Sequence, residues 1–212
     1  MKVQTFICNM LHENCYVLYD EFSRDAAIID PGFYWDEEKE PLITFIHDQR
    51  LQVKYLLCTH LHFDHIFGVP FIEDTFGIHL NASLYDVPWL NNFTASVSRF
   101  GIRPNGEPRP VSHPLHDGDI LTLGTASLEC IATPGHSAGG MCFYIEDSRM
   151  LFSGDTLFQC SIGRTDFSDG DYAQLIRSIR TRLLTLPLDT VVYPGHGDST
   201  TIGEEMKYNP YL

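Results

Sequence analysis

The sequence feature that most constrains the fold is a dense group of polar side chains placed directly after an apolar run. Val53–Cys58 is typical of a short buried strand, and Thr59-His60-Leu61-His62-Phe63-Asp64-His65 follows it without a gap. Packed together at a strand end without a cation, these imidazoles and the carboxylate would be costly polar groups. Histidine nitrogen and carboxylate oxygen are ligands that suit zinc, iron or manganese. The pattern therefore predicts a metal site at the end of a strand.

Three further segments repeat this arrangement of an apolar run, a glycine turn and a potential ligand. They end in Thr133-Pro134-Gly135-His136, in Ser153-Gly154-Asp155 and in Pro194-Gly195-His196. Ligand sites in open α/β sheets lie outside the carboxyl ends of the strands. Glycine at such a turn lets the backbone pass close to a metal ion. We therefore expect four strand ends to bring their ligands to one edge.

The candidate ligands are too numerous for one ion, because zinc takes three or four protein ligands. Seven groups fit two ions that share a bridging carboxylate, and two-metal hydrolases hold their ions about 3.5–4 Å apart. Among the remaining histidines we expect non-ligand roles, with His12 and His116 the two to examine for contacts to the ligands. The seven candidate ligands are His60, His62, Asp64, His65, His136, Asp155 and His196.

Apolar runs alternate with amphipathic segments, which is typical of an α/β architecture. Helices are predicted over Glu37–Arg50, over Ile66–Phe76 and, most clearly, over Asp171–Leu186. Many strands are apolar throughout, as expected of sheets covered on both faces. Besides Val53–Cys58, the predicted strands are Val3–Cys8, Tyr16–Tyr19, Ala26–Asp30, Ile78–Asn81, Ile120–Leu123, Ala126–Ala132, Met141–Ile145, Met150–Phe152 and Thr190–Tyr193.

The segment over residues 82–114 is the best candidate for an inserted lid within an otherwise single domain spanning residues 1–212. Its first part, Ser83–Phe93, has a helical pattern, and the stretch to Pro114 is loop-rich. Trp89 and Phe100 would suit an apolar acyl group, and they would equally suit simple packing or a surface excursion with no role in binding.

The acidic composition limits the kinds of binding partner that we expect. The chain has 14 Lys and Arg residues and 28 Asp and Glu residues, a formal net charge of −14. Neither nucleic acid nor an anionic membrane favours such a surface. A small anionic substrate remains compatible, because metal ions reverse the field inside a cleft. The N-terminus lacks the regions of a signal peptide, and no apolar run approaches the roughly 20 residues of a membrane span. Six cysteines without a C-x-x-C pair predict buried free thiols in a reducing cytoplasm.

These motifs resemble the metallo-β-lactamase superfamily, whose signature H-x-H-x-D-H is His60-Leu61-His62-Phe63-Asp64-His65 here. Within it, the chain looks most like the short-form glyoxalase II-like hydrolases (hydroxyacylglutathione hydrolase type). Thr133–Ser137, Ser153–Phe158 and Pro194–Gly197 carry that similarity. The resemblance implies a four-layered αβ/βα sandwich, α/β (α+β) in class, with two facing mixed β-sheets flanked by helices.

The resemblance also implies roles for the ligands. His60, His62 and His136 would hold the first metal, and Asp64, His65 and His196 the second. Asp155 would bridge both, which makes Asp64 and Asp155 the expected catalytic carboxylates. The implied cofactors are two divalent ions, zinc foremost, with iron or manganese open. The implied activity is hydrolysis of a small-molecule thioester, glutathione-derived among the candidates, by a metal-bridging hydroxide.

Arg164 lies where the family has a basic residue near the substrate, and it is predicted either to contact substrate or to pair with Asp166 or Asp169. Long glyoxalase II enzymes add a C-terminal helical domain with basic residues for glutathione. Here only 16 residues follow His196, with one cation, Lys207, so the thiol carrier stays open.

Two other activities stay open beside thioester hydrolysis. A persulfide dioxygenase of the same superfamily uses a single iron held by two His and one Asp, which His60, His136 and Asp155 could supply. A lactonase or esterase would use the same two metals. A flavodiiron-type redox protein is disfavoured, because that type carries Glu where this chain has His62 and no flavin domain fits in the length.

Overall fold

The computed structural model describes residues 1–104 and 106–212; Asn105, inside the predicted insertion 82–114, lies outside the described residues. Two six-stranded mixed sheets organise the chain. The first has the order β1-β2-β3-β4-β5-β6 and the second β14-β13-β10-β9-β8-β7. The first sheet consists of β1 (Lys2–Cys8), β2 (Glu13–Tyr19), β3 (Asp25–Ile29), β4 (Gln52–Leu57), β5 (Leu80–Ala82) and β6 (His113–Pro114). The second consists of β7 (Ile120–Leu123), β8 (Ala126–Ala132), β9 (Met141–Ile145), β10 (Met150–Gly154), β13 (Val191–Pro194) and β14 (Thr200–Thr201).

Helices cover the outer face of each sheet. A small hairpin of β11 (Leu157–Phe158) and β12 (Ser161–Ile162) follows β10. The described helices are α1 (Lys39–Asp48), α2 (Phe63–Ile66), α3 (Val69–Phe76), α4 (Val87–Asn91), α5 (Phe93–Arg99), α6 (Tyr172–Ser178) and α7 (Ile202–Tyr208).

The central strands β2, β3 and β9 are buried on both faces, which explains why they are largely apolar. In β2, Val17 packs into the cluster that contains Leu42 of α1, whereas its neighbour Leu18 packs between the sheets with Phe143. On the outer face of the second sheet, Leu175 of α6 belongs to a third cluster. Side chains of a strand alternate between the two faces of a sheet, so one strand contributes side chains to two hydrophobic cores. These layers confirm the predicted αβ/βα sandwich with two facing mixed sheets.

The helix predicted over Ile66–Phe76 is wrong as a single element, because α2 and α3 are separate. At their junction the Gly68 backbone N–H donates to the Pro31 carbonyl at 2.7 Å. A Cβ at Gly68 would lie 2.7 Å from that oxygen. Pro70, near the start of α3, has no N–H to donate to the preceding turn. Close contact with the β3 turn therefore interrupts the helical pattern.

Other boundaries also differ from the prediction. The helix predicted over Asp171–Leu186 consists of α6 and a π-helical turn, Ile179–Leu183. The stretch after Phe93 was expected to be loop-rich but begins with α5, and α7 was not predicted. Five of the six free cysteines are buried, as expected, whereas Cys160 is exposed. Among the described residues, no helix combines the length and apolar character that a membrane span requires.

Candidate metal centre

Four strand ends meet where the sequence predicted. His60 follows β4 of the first sheet, and His136, Asp155 and His196 follow β8, β10 and β13 of the second. Because β10 and β13 are parallel neighbours, their carboxyl ends reach the same edge. The glycine before His196 is required by this crowding, since a Cβ at Gly195 would lie 2.3 Å from Asp155 Oδ1.

His60, His62 and His136 form a buried group, defined here as the first half of the centre. His136 Nε2 lies 2.9 Å from His62 Nδ1. His136 is oriented by its other nitrogen, Nδ1, which donates to the Arg164 carbonyl at 2.8 Å. His60 Nδ1 lies 3.1 Å from Thr59 Oγ1. Occupying the outer nitrogen directs the inner one toward the centre, as in metal-binding histidines.

Asp64, His65 and His196 form the second half of the centre. His196 Nε2 lies 3.3 Å from Asp64 Oδ2, and His65 Nε2 lies 3.8 Å from the same oxygen. The outer nitrogens again face oxygen atoms. His196 Nδ1 donates to the Leu11 carbonyl at 3.1 Å, and His65 Nδ1 lies 3.2 Å from Asp30 Oδ2.

Asp155 lies between the halves and presents one oxygen to each. Its Oδ2 is 3.5 Å from His136 Nε2 in the first half. Its Oδ1 is 3.5 Å from His65 Nε2 and 3.8 Å from His196 Nε2 in the second. The structure thus brings all seven candidate ligands together, with the Asp155 carboxylate between the two halves.

The donor set fits metal ions. Five buried atoms of the candidate ligands have no hydrogen-bond partner among the described residues: His60 Nε2, His62 Nε2, His65 Nδ1, His65 Nε2 and Asp155 Oδ1. Buried polar atoms without a partner cost about 1–3 kcal/mol each. Imidazole and carboxylate suit zinc, iron and manganese, so bound cations would provide partners for these unpaired atoms.

The two halves differ in their electrostatics. In the first, burial and the neighbouring imidazoles lower the pKa of His60 and of His62. In the second, burial acts in the same direction, but Asp64 and Asp155 outweigh it and raise the pKa of His65 to about 10. Burial likewise opposes a charged Asp64, yet His65 and His196 hold the pKa of its carboxyl below the usual range. The charged imidazole is thus disfavoured at His60 and His62 in the first half, whereas the neighbouring carboxylates favour it at His65 in the second.

Two acidic residues behind His65 were missed as part of the site. Asp30 accepts hydrogen bonds from Thr59 N and Thr59 Oγ1, both at 2.7 Å. Glu13 is fully buried, its Oε1 lies 3.8 Å from His65 Nδ1, and burial raises its pKa. Asp30 was predicted only as the last residue of a strand, and Glu13 lay outside the predicted strand Tyr16–Tyr19, so neither gave a ligand signal in the sequence.

A cavity of about 1060 Å³ opens over the centre. Trp89 and Phe100 from the predicted insertion line it, as does Phe167, whose ring centroid lies 5.5 Å from that of Trp89. The ring centroids of Trp89 and Phe167 lie 4.3 Å and 4.7 Å from that of His62. Trp89 Nε1 donates to Asp169 Oδ2 at 2.9 Å. The insertion therefore lines the cavity, while its action as a lid stays a prediction.

Arg164 makes the ion pair that was one of its two predicted roles. Its Nε and Nη2 donate to the two oxygens of Asp166 at 2.6 and 2.7 Å, and its guanidinium lies 4.5 Å from the Phe167 ring centroid. Arg164 still lines the cavity, so contact with substrate stays a prediction. The structure adds a role for its backbone, the carbonyl that orients His136.

Neither additional histidine contacts the ligands through its ring in the described contacts. His116 is exposed and its Nδ1 faces Asp119 at 3.3 Å. His12 is exposed in a turn, and it is its neighbour Leu11 whose carbonyl holds His196.

Comparison with known proteins agrees with this geometry. Residues 9–196 match the family model of the metallo-beta-lactamase superfamily. The chain belongs to this superfamily. Hydroxyacylglutathione hydrolase GloC of Haemophilus influenzae is 37% identical over 213 residues, covering 100% of this chain and 98% of the relative.

Solved structures of superfamily members share the whole fold. BLEG-1 B3 metallo-beta-lactamase is 40% identical with a TM-score of 0.90, covering 100% of this chain and 99% of that one. TTHA1623, solved in a di-iron-bound form, is 32% identical with a TM-score of 0.88, covering 99% and 100%. The resemblance to the metallo-β-lactamase superfamily, and the fold that it implied, are therefore confirmed. Its members include enzymes, and the His/Asp centre of this chain is a dinuclear metal-binding cluster.

Proposed function

We propose that the protein is a metal-dependent hydrolase that cleaves a small-molecule thioester with two divalent ions. The observation that carries the proposal is the position of Asp155, whose two oxygens each lie 3.5 Å from a histidine of a different half. A carboxylate so placed serves two ions at once, which a mononuclear site would not need. The name of the GloC relative supports a glutathione-derived thioester as the first substrate to test.

Each half would hold one ion through its three ligands, with Asp155 shared. Bound there, the ions would supply a Lewis acid for the substrate carbonyl and a water that ionises near neutral pH. The assignment is His60, His62 and His136 for the first ion and Asp64, His65 and His196 for the second.

The chain's own residues orient and shield this chemistry. Asp64 and Asp155 keep 11% and 13% of their side chains exposed, so they reach the cavity floor while their other faces are buried. Trp89 and Phe167 pack against His62 and exclude water from the first half. A thiolate leaves readily because thiol pKa values lie near 8.5. The site therefore needs no separate general acid for the leaving group.

The test is hydrolysis of S-lactoylglutathione by zinc-loaded protein, followed by loss of the thioester absorbance. We expect turnover that a chelator abolishes and that added zinc restores, with Asp155→Asn as an inactive control. Turnover of a lactone or ester, with none of the thioester, would move the protein to the lactonase branch. One iron per chain, with oxygen uptake on a persulfide, would overturn the hydrolase proposal.

A further inference from the structure

Asp86 is a fully buried carboxylate that is not among the candidate ligands. It closes a short 3-10 helix, Leu84–Asp86, near the start of the 82–114 insertion, and α4 begins at the next residue. Carboxylates are almost never fully buried unless they are paired. Its partners are not cations, and they lie in the loops that carry the first half of the centre.

The Asp86 carboxylate accepts three hydrogen bonds from those loops. Leu61 N, between His60 and His62, donates to Oδ2 at 3.1 Å. Ser137 Oγ, next to His136, donates to the same oxygen at 2.9 Å. Gly139 N donates to Oδ1 at 2.5 Å. A single oxygen thus joins the two loops that supply the three histidines.

The second loop is built closely around this carboxylate. A Cβ at Gly139 would lie 2.6 Å from Asp86 Cγ. Ser137 is also fully buried, so its hydroxyl depends on a protein partner. The insertion therefore contacts the metal centre through Asp86 in its first turn as well as through Trp89.

Holding a carboxylate there costs stability. Burial raises the pKa of Asp86 to about 6, against the effect of its three hydrogen bonds. Replacing buried charges by well-packed apolar groups is often neutral or stabilising. The structure keeps the carboxylate nonetheless, at a position where one of its oxygens accepts hydrogen bonds from both loops.

We propose that Asp86 is a positioning residue that locks the His60–His62 loop to the His136 loop, so that the three histidines form one preorganised metal site. The inference rests on the metal-binding part of the proposed function, and it holds whichever bond the enzyme cleaves.

The test is the zinc affinity of each half, measured by competition with a chromophoric chelator on the full chain. The first half is isolated in a His196→Ala background and the second in a His136→Ala background. Asp86→Asn directs an NH2 group at either Gly139 N or Leu61 N, so at least one buried donor loses its acceptor. We expect the first half to bind zinc about 10- to 100-fold more weakly and the second half to bind it unchanged.

Asp20→Asn is the matched control. Asp20 is also buried at 3% exposure and joins two loops, through Phe22 N at 2.8 Å and Thr125 N at 3.1 Å. It follows β2 at the end opposite to Glu13, so its loops carry no candidate ligand. We expect Asp20→Asn to lower the Tm of the metal-free protein without changing either zinc affinity.

Ser137→Ala keeps the Asp86 carboxylate and deletes one of the two hydrogen bonds to its Oδ2. It replaces Asp86→Asn in the test if that variant does not fold. We expect a smaller loss, up to about 10-fold, confined to the first half. Unchanged first-half affinity in either variant would overturn the positioning role, as would equal losses in both halves. A wild-type chain that binds no zinc would instead overturn the proposed function, so the two failures are distinguishable.

Discussion

The two halves of the centre are built differently although they share Asp155. The first half has only imidazoles of its own, and its outer contacts are neutral oxygens such as the Arg164 carbonyl. Aromatic rings cover it, with Trp89 and Phe167 against His62. The second half contains a carboxylate, Asp64, and has buried Asp30 behind it.

The halves also differ in what holds them. Loops tied to the insertion hold the first half, through Asp86. Contacts between the two sheets hold the second, because Asn14 of β2 reaches across to the loop that carries His196. One ligand motif is thus supported by two independent parts of the fold. A substitution in one half should then weaken metal binding in that half alone, and only a substitution of the shared Asp155 should affect both.

Asp155→Ala should have the largest effect, because it removes the group common to both halves. We expect thioester hydrolysis to fall by at least about 10³-fold, and bound metal to fall below two ions per chain, since both ions lose a ligand. Metal analysis and turnover of the same preparation check this. Near-normal activity with two ions bound would show that Asp155 does not bridge.

His136→Ala and His196→Ala should separate the halves. Each variant should retain about one ion per chain and lose at least about 100-fold in activity, because each removes one ligand from one half. Metal stoichiometry and chelator competition measure the outcome. If either variant lost both ions, the halves would be one cooperative site rather than two independent ones.

Asn14→Ala should weaken only the second half. Its Nδ2 donates to the Pro194 and Gly197 carbonyls at 3.1 and 2.8 Å, on either side of His196. We expect about 10-fold weaker zinc binding in that half. We also expect about 1 kcal/mol less stability from the lost hydrogen bonds, because the Tyr16 hydroxyl still donates to the Pro194 carbonyl at 2.6 Å.

Asn81→Ala is the control for Asn14→Ala. Asn81 is similarly buried and its Nδ2 also donates to two backbone carbonyls, of Leu56 and His79 at 3.0 and 2.8 Å. This variant should lose stability while second-half affinity stays unchanged. Equal losses of affinity in both variants would mean that the effect of Asn14 is general destabilisation.

The pH dependence of stability should reveal Asp86 in the metal-free protein. Its pKa is raised from the ordinary value of 3.8 to about 6, so the folded state binds its proton more tightly than the unfolded state. The resulting stabilisation is full below the unfolded pKa and is lost as pH rises through about 6. Relative to Asp86→Asn, the wild type should gain on the order of 2–3 kcal/mol between pH 7 and pH 4.

Urea unfolding at several pH values measures the difference in unfolding free energy between the wild type and Asp86→Asn. Titrations common to both proteins cancel in this difference. A difference that does not change with pH would mean that Asp86 is not held at a raised pKa.

Strands and ligand positions were predictable because their causes are local. β7, β8 and β9 have the predicted bounds, since each is a short, largely apolar run bounded by turn residues. The break between α2 and α3 was not predictable, because it depends on Pro31, which is distant in sequence and contacts Gly68. Asp86 was missed for the same reason, since its partners are Leu61, 25 residues away, and Ser137, 51 residues away.

Motifs in the sequence alone established the family, the layered fold that the resemblance implied, and the seven groups that meet at the strand ends, because ligand motifs lie within short segments. The tertiary structure decided which oxygen faces which histidine, how Asp155 divides its two oxygens, and that Arg164 pairs with Asp166. It also decided that the insertion supports the first half while β2 supports the second. These relations depend on distances of a few ångströms between residues far apart in the chain, which no local pattern encodes.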